Sequence, residues 1–239
     1  MSSLRTSIVA AAALAVGLGA AAGASAAPAP APPTAKVAWV GRVLVPVTAR
    51  AAPRMSARAR AVVQPVAPFA KGPTVLLVTR TTVRDERRWV EVLLPKRPNG
   101  TRGWVPADVL RLRTTSIRVV IDLGDRRLEV YRAGRRIIHA PVAVGKPGTP
   151  TPRGRFAVAE LVRTGIPGAF LGPVVFPLTG YSEKLNEFAG GDGRVAIHGT
   201  SLPALIGTRA SNGCIRLRNR DVVRMSRIVR PGTPVLIRP

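Results

Sequence analysis

The chain has 239 residues with 37 basic against 12 acidic side chains, a formal net charge of +25, and 46% hydrophobic residues, enough to build a core. One cysteine and two histidines exclude an internal disulfide and are too few for a metal centre, so no metal or other cofactor is expected. The charge does not make a nucleic-acid binder, because no helix-turn-helix, finger or aromatic stacking motif accompanies it.

Residues 1–26 carry one positive charge at Arg5, an apolar run from about Ile8 to Ala22, and Ala24-Ser25-Ala26 as a small-residue cleavage site. This pattern predicts a secretory signal peptide, with an uncleaved anchor as the alternative; the run is short and glycine-interrupted for a membrane span. No cysteine follows it, so no lipid-modified N-terminus is expected. The protein is thus expected to be exported, to the cell wall or the outer side of the membrane. There its basic surface either is simply solvated or holds it by long-range attraction to anionic cell-wall polymers. Residues 27–35 alternate alanine and proline and read as an extended linker.

Residues 36–113 form the first predicted domain, which contains all three tryptophans, Trp39, Trp89 and Trp104. Strand-like runs occur at Val43–Thr48, Thr74–Thr79 and Trp89–Leu93, with a turn at Pro98-Asn99-Gly100 and a further short strand from Gly103. The run Trp89 to Leu93, Arg97-Pro98-Asn99-Gly100, Gly103-Trp104-Val105 and Leu110 resembles a bacterial SH3-like domain. That resemblance implies a small β-barrel, whose tryptophans either contact wall peptides or only fill its core.

A polar junction at 113–116 leads to the second domain, 117–239. Ile117–Asp122, Arg127–Tyr131 and Arg136–Val144 read as three strands joined by hairpin turns, an antiparallel meander. His139, on the third of these, has arginines before it and no thiol nearby, so it reads as structural or surface. Thr149–Arg155, with two prolines and a glycine, reads as a stiff loop. Phe156–Leu161 and Val174–Leu178 read as strands, Ser182–Phe188 as a short helical turn, and Gly190-Gly191-Asp192-Gly193 as a flexible bend suited to a lid. Asn219 reads as the N-cap of a helix carrying Val222, Met225, Ile228 and Val229, which Pro231-Gly232 stops before a last strand, Thr233–Ile237.

The only cysteine and one of the two histidines fall in one window, Ile197-His198-Gly199-Thr200 followed by Ser211-Asn212-Gly213-Cys214-Ile215-Arg216-Leu217. A thiol attacks as its thiolate, and a histidine can hold the proton and later hand it to a leaving amine. Full ionisation gains only about 30-fold in thiolate, roughly 2 kcal/mol, so the transition state needs further stabilisation. Gly213 permits a sharp turn that aims successive N–H groups at one point, as an oxyanion hole requires. The alternative for a lone cysteine is an inert buried one.

At these residues the sequence resembles the L,D-transpeptidases with a YkuD-type catalytic domain. The match includes Val144-Gly145-Lys146 and Thr149-Pro150-Thr151-Pro152-Arg153-Gly154-Arg155-Phe156, and spans about 117–239. Asn212 departs from the commonest family form, which has histidine there. The resemblance implies a mainly β fold, a β-sandwich with a capping helix beside the cleft, and a cysteine acyltransferase active in peptidoglycan biosynthesis and cell shape. It implies Cys214 as nucleophile, His198 as base, the Gly199 carbonyl as the group orienting the imidazole, and N–H groups around Gly213 and Cys214 as the oxyanion site. Ser211, Asn212, Thr200 and Arg216 are candidate substrate contacts; Arg216 either binds a carboxylate or fixes the loop, or else pairs with Asp221. The implied partners are a donor tetrapeptide stem, an acceptor amine and carbapenem-type inhibitors, with a 3→3 cross-link as product. Two rivals remain: a carboxypeptidase or hydrolase on the same scaffold, and a non-catalytic wall-binding protein.

Overall fold

The computed structural model describes residues 30–187 and 190–239; the signal segment read at 1–26 and the start of the linker lie outside them. Residues 30–34 have no regular secondary structure, and no described helix is long and apolar enough to cross a membrane.

The N-terminal half contains β1 (Ala38–Val43), β2 (Val47–Arg50), β3 (Ala59–Val63), β4 (Val75–Arg84), β5 (Arg87–Leu93), β6 (Arg102–Pro106) and β7 (Leu110–Thr115). They hydrogen-bond in the order β3-β2-β6-β5-β4-β1-β7. The expected closed barrel is not observed, since the end strands β3 and β7 do not pair. Val43–Thr48, read as one strand, is two: Pro46 has no N–H to give to a ladder, and β1 joins β4 and β7 while β2 joins β3 and β6. The junction read at 113–116 begins inside β7, whose alternation turns Leu110 toward the core and leaves Arg111 exposed. Trp89 and Trp104 are buried and Trp39 packs on the core, so the tryptophans fill the fold.

The C-terminal half contains β8 (Ile117–Asp122), β9 (Arg127–Arg132), β10 (Arg135–Pro141), β11 (Val144–Gly145), β12 (Gly154–Ala157), β13 (Val162–Arg163), β14 (Val174–Tyr181), β15 (Arg194–His198), β16 (Arg209–Ser211), β17 (Ile215–Arg216), α1 (Asn219–Ser226) and β18 (Pro234–Arg238). The meander β8-β9-β10 is antiparallel as expected, and β18 adds to it in parallel beside β8. A five-stranded sheet in the order β10-β9-β8-β18-β12 and a four-stranded sheet in the order β13-β14-β15-β17 share one core. Val119, Ile121, Leu128 and Val130 come from the first, Phe176, Val195, Ile197 and Ile215 from the second, and Val222 and Met225 from α1. Residues 182–187 form bends rather than the expected helical turn.

The two halves are joined by polar contacts that each satisfy backbone groups. Arg97 donates through Nη1 to the Ser182 carbonyl (2.6 Å) and through Nη2 to those of Leu185 (2.9 Å) and Asp192 (3.1 Å). The bend at Gly190-Gly191-Asp192-Gly193, read as suited to a lid, is thereby tied to Arg97 at Asp192. Asn99 pairs with the Tyr181 backbone in both directions, at 2.8 Å each, as a neighbouring strand would. Glu160, 2% exposed, accepts the N–H groups of Phe69 (2.9 Å) and Ala70 (2.7 Å). Removing that carboxylate leaves two amide donors unsatisfied. Glu160→Ala is therefore expected to lose about 2–3 kcal/mol in urea unfolding; a loss below about 0.5 kcal/mol would show that water replaces the acceptor freely.

Candidate active site

His198 ends β15, whose alternation turns Val195 and Ile197 into the core and places Arg194, Ala196 and His198 on the other face. β17 lies parallel beside it, with Ile197 opposite Ile215 and His198 opposite Arg216. Continuing that register puts Cys214 level with Ala196, and the Ala196 N–H acts on the Cys214 sulfur. Cys214 and His198, sixteen positions apart in sequence, thus lie on one face of two adjacent segments, with Cys214 level with Ala196 and His198 level with Arg216.

The turn before Cys214 is held from three sides. Ser211 is fully buried; its hydroxyl donates to the Cys214 carbonyl (2.6 Å) and accepts from the Gly213 N–H (3.1 Å). Gly213 adopts φ +113, open to glycine and strained for other residues. From the Thr149–Arg155 loop the Thr149 hydroxyl reaches the Ser211 carbonyl (3.3 Å) and Asn212 Oδ1 (3.4 Å), and the Lys146 N–H bonds the Ser211 carbonyl (3.0 Å). Ser211, a candidate substrate contact, is instead a staple of this loop, since both sides of its hydroxyl are occupied. The Gly213 N–H is likewise committed to Ser211, which removes it from the expected oxyanion site; among the described residues the Cys214 N–H has no protein acceptor.

Thr200 is also turned inward. It is 2% exposed, its N–H bonds Asn219 Oδ1 (2.8 Å) and its hydroxyl accepts from Leu202. Asn219 does not act as N-cap: Arg218 occupies that position, without a side-chain cap bond, because the Asn219 amide spans to Thr200 on one side and to the Pro167 carbonyl (2.9 Å) on the other. A side chain on Gly199 would run into Asn219 Oδ1. Asn219 thus positions the histidine turn, and sequence alone could not separate this tether from a cap.

Arg216 is 6% exposed, and among the described residues its Nε has no hydrogen-bond partner. Its guanidinium lies 4.9 Å from the centre of the Phe170 ring. The expected alternative pairing with Asp221 is not formed; that carboxylate lies by Arg220, at 3.8 Å. Asn212 and Cys214 line a cavity of about 290 Å³, together with Phe69, Leu171, Pro177 and Arg194 among others. His139 sits on the surface, 3.4 Å from Glu129.

His198 Nδ1 lies 2.6 Å from the Gly199 carbonyl oxygen, the orienting contact expected of Gly199. Burial pushes the imidazole down to about 4, with Arg216 adding to the shift against the Gly199 and Leu171 carbonyls. Burial also pushes the thiol of Cys214, partly exposed at the cavity wall, up from its ordinary value, against the pull of the Ala196 N–H and Arg216. The resting pair is therefore neutral thiol and neutral imidazole rather than a preformed thiolate. The Gly199 and Leu171 carbonyls are the acceptors that would meet the ring if it were protonated.

A sequence model of the YkuD family, the L,D-transpeptidase catalytic domain, matches residues 116–237. The putative L,D-transpeptidase YkuD of Bacillus licheniformis is 38% identical over 126 residues, covering 53% of this chain and 68% of that protein. The probable L,D-transpeptidase ErfK/SrfK of Salmonella typhimurium is 32% identical over 163 residues, 62% of this chain and 52% of the relative. A solved L,D-transpeptidase structure from Enterococcus faecium aligns at 25% identity and TM-score 0.39, covering 51% of this chain and 49% of that one. The chain belongs to the YkuD family of L,D-transpeptidase catalytic domains. It spans about two thirds of the Bacillus relative and about half of the other two.

Because kcat/KM reports groups of the free enzyme, its acidic limb is expected near pH 4, where His198 protonates, and a limb between about 6 and 7 would contradict the buried neutral imidazole. The unfolded chain takes up that proton near 6.5 and the folded site only near 4, so stability should fall as pH drops through this window, and less so in His198→Phe. Separately, Gly213→Ala meets no atom closer than 3.7 Å, so its expected cost of about 1–3 kcal/mol in thermal unfolding is backbone strain alone.

Proposed function

We propose that the protein is an exported peptidoglycan L,D-transpeptidase that forms 3→3 cross-links through a thioester on Cys214. The observation that carries this is the placement of Cys214 just before β17, beside the strand that ends in His198, with the thiol opening into the cavity and the imidazole 2.6 Å from the Gly199 carbonyl. Membership of the transpeptidase family supports the class of reaction; the particular cross-link is our reading.

In the first half-reaction the Cys214 sulfur attacks the carbonyl of the third stem residue while its proton passes to His198. With Nδ1 engaged by Gly199, Nε2 is the nitrogen that takes it. Charge collects on the carbonyl oxygen, for which the unengaged Cys214 N–H is the available backbone donor. Collapse breaks the peptide bond, and His198 returns the proton to the departing D-alanine amine. In the second half-reaction the acceptor amine attacks the thioester, gives its proton to His198, and leaves the thiol to be reprotonated. Arg216 disfavours the imidazolium and favours the thiolate, which drives the proton back off the histidine once the intermediate collapses.

A hydrolytic outcome uses the same first step, with water in place of the amine. The cavity wall is largely aliphatic and aromatic, including Val162, Leu171, Val175 and Pro177, and this favours an amine delivered by a bound acceptor over bulk water. The N-terminal half, read by resemblance as SH3-like, would then orient the catalytic half at the wall, with the basic surface adding retention by anionic polymers.

Mass spectrometry of muropeptides after incubation with the protein tests the reading. Cross-linked dimers are the expected product, tripeptides alone would indicate the hydrolase, and no change would indicate the wall-binding alternative. Because thiol and base act as one unit, Cys214→Ala, His198→Ala and the double variant should lose nearly the same activity. Additive losses would separate their roles.

A further inference from the structure

Among the described residues that line the cavity around Cys214, one comes from the N-terminal half: Phe69. It lies in the 64–74 connection between β3 and β4, where the Ala67 N–H bonds the Gly72 carbonyl at 2.8 Å. The backbone there is fixed to the catalytic half, because the Phe69 and Ala70 N–H groups both end on buried Glu160. The ring lies over the Arg194 guanidinium at 5.4 Å. Arg194 is itself set in place by the Tyr181 hydroxyl at 2.8 Å and by a second aromatic contact, with the Tyr181 ring at 5.2 Å. Arg194 shares its strand face with Ala196 and His198, so Phe69 is fastened to the same face that carries the base.

A ring that only sealed the joint between the halves would be buried. Phe69 is instead 54% exposed, and it lines the cavity with Cys214 and Asn212. An aromatic side chain held by its backbone and by the cation beneath it loses little freedom on contact and offers a flat apolar surface. Methyl and methylene groups along an extended peptide are what such a surface takes.

We infer that Phe69 is a substrate-binding residue, the wall on which the donor peptide lies while its carbonyl is presented to Cys214, so that the N-terminal half completes the catalytic cleft. The inference rests on the proposed acylation of Cys214 by a peptide. It makes the N-terminal half part of the site, and a catalytic half lacking it would have a cleft open on one side.

The test compares wild type, Phe69→Ala and Phe69→Tyr in the full chain, with a tetrapeptide stem as donor. Covering the exposed half of the ring is worth about tenfold in KM, so Phe69→Ala should raise KM by that factor while kcat stays within about twofold. Phe69→Tyr should restore KM. Alkylation of Cys214 by iodoacetamide, too small to need the wall, and the urea midpoint should match wild type in both variants. An unchanged KM overturns the inference, as does a loss that appears equally in alkylation rate and unfolding midpoint, which marks a merely structural role. If wild type does not consume the stem, the acylation reading fails. Calorimetric binding of the same peptide to Cys214→Ala then decides the fate of Phe69: equal affinity with and without Phe69→Ala overturns its role, and about tenfold weaker binding upholds it as the wall of a peptide cleft.

Discussion

The parallel pairing of β15 with β17 is the constraint on which the site depends. Two short segments, His198 with its neighbours and Ile215-Arg216, must lie side by side in one register for Cys214 to lie beside the strand that ends in His198. A shift of one residue would turn His198 into the core and Ile197 into the cavity. The register is locked from both ends. Ile197 and Ile215 are fully buried in the shared core, the Leu217 N–H bonds the His198 carbonyl at 2.8 Å, and the Arg216 N–H and carbonyl both pair with Ala143. Beyond the strands, Ser211 and Asn219 fasten the two turns that carry Cys214 and Gly199. Core packing, ladder and side-chain staples all specify the same alignment, the agreement between levels that gives a sequence a single structure.

That rigidity has an electrostatic consequence. A histidine placed in a strand end and covered by Phe170 and Leu171 is desolvated, and desolvation disfavours its charged form. The Arg216 guanidinium, fixed by the same pairing, works in the same direction on the imidazole and in the opposite direction on the thiol, where it favours the anion. A surface ion pair of cysteine and histidine would expose a permanent thiolate to oxidants. In the proposed reaction the thiol stays protonated until a substrate carbonyl arrives, and the charge then created is met by the Gly199 and Leu171 carbonyls at the ring. That Arg216 Nε has no partner among the described residues fits this account, because a carboxylate bonded to it would cancel the field that it supplies.

Much of this was legible in the sequence, for identifiable reasons. The hairpins β8-β9-β10 announce themselves through alternation and turn residues, and Cys214 and His198 stand out because their residue types are scarce. What was not legible depends on partners distant in sequence. Asn219 before a helix reads as a cap, and only the fold shows its amide taken by Thr200 and Pro167. Ser211 and Thr200 flank the motifs and read as substrate contacts, yet their hydroxyls close local loops. Polar β7 reads as a junction because the β1 edge that pairs with it lies about seventy residues earlier in the chain. Pro46 in an apolar run was the one local signal available for the break between β1 and β2.

The same distance rule explains why the N-terminal half reads as a separate module. Its strands form their own sheet and its tryptophans fill its own core, so nothing in residues 36–113 alone points to the catalytic cavity. The coupling is made by single residues in its loops, Arg97, Asn99 and Phe69, each meeting backbone or a fixed side chain of the other half. Interfaces between domains are ordinarily polar and permit relative motion. This one also buries Val40, Val75 and Leu77 beside Ala157, with Gly232 so close that a side chain there would meet Val40 and Val75. An apolar seam with several satisfied hydrogen bonds around it does not hinge freely. A residue presented across it therefore keeps its position relative to Cys214, and only a wall that keeps its position can orient a substrate.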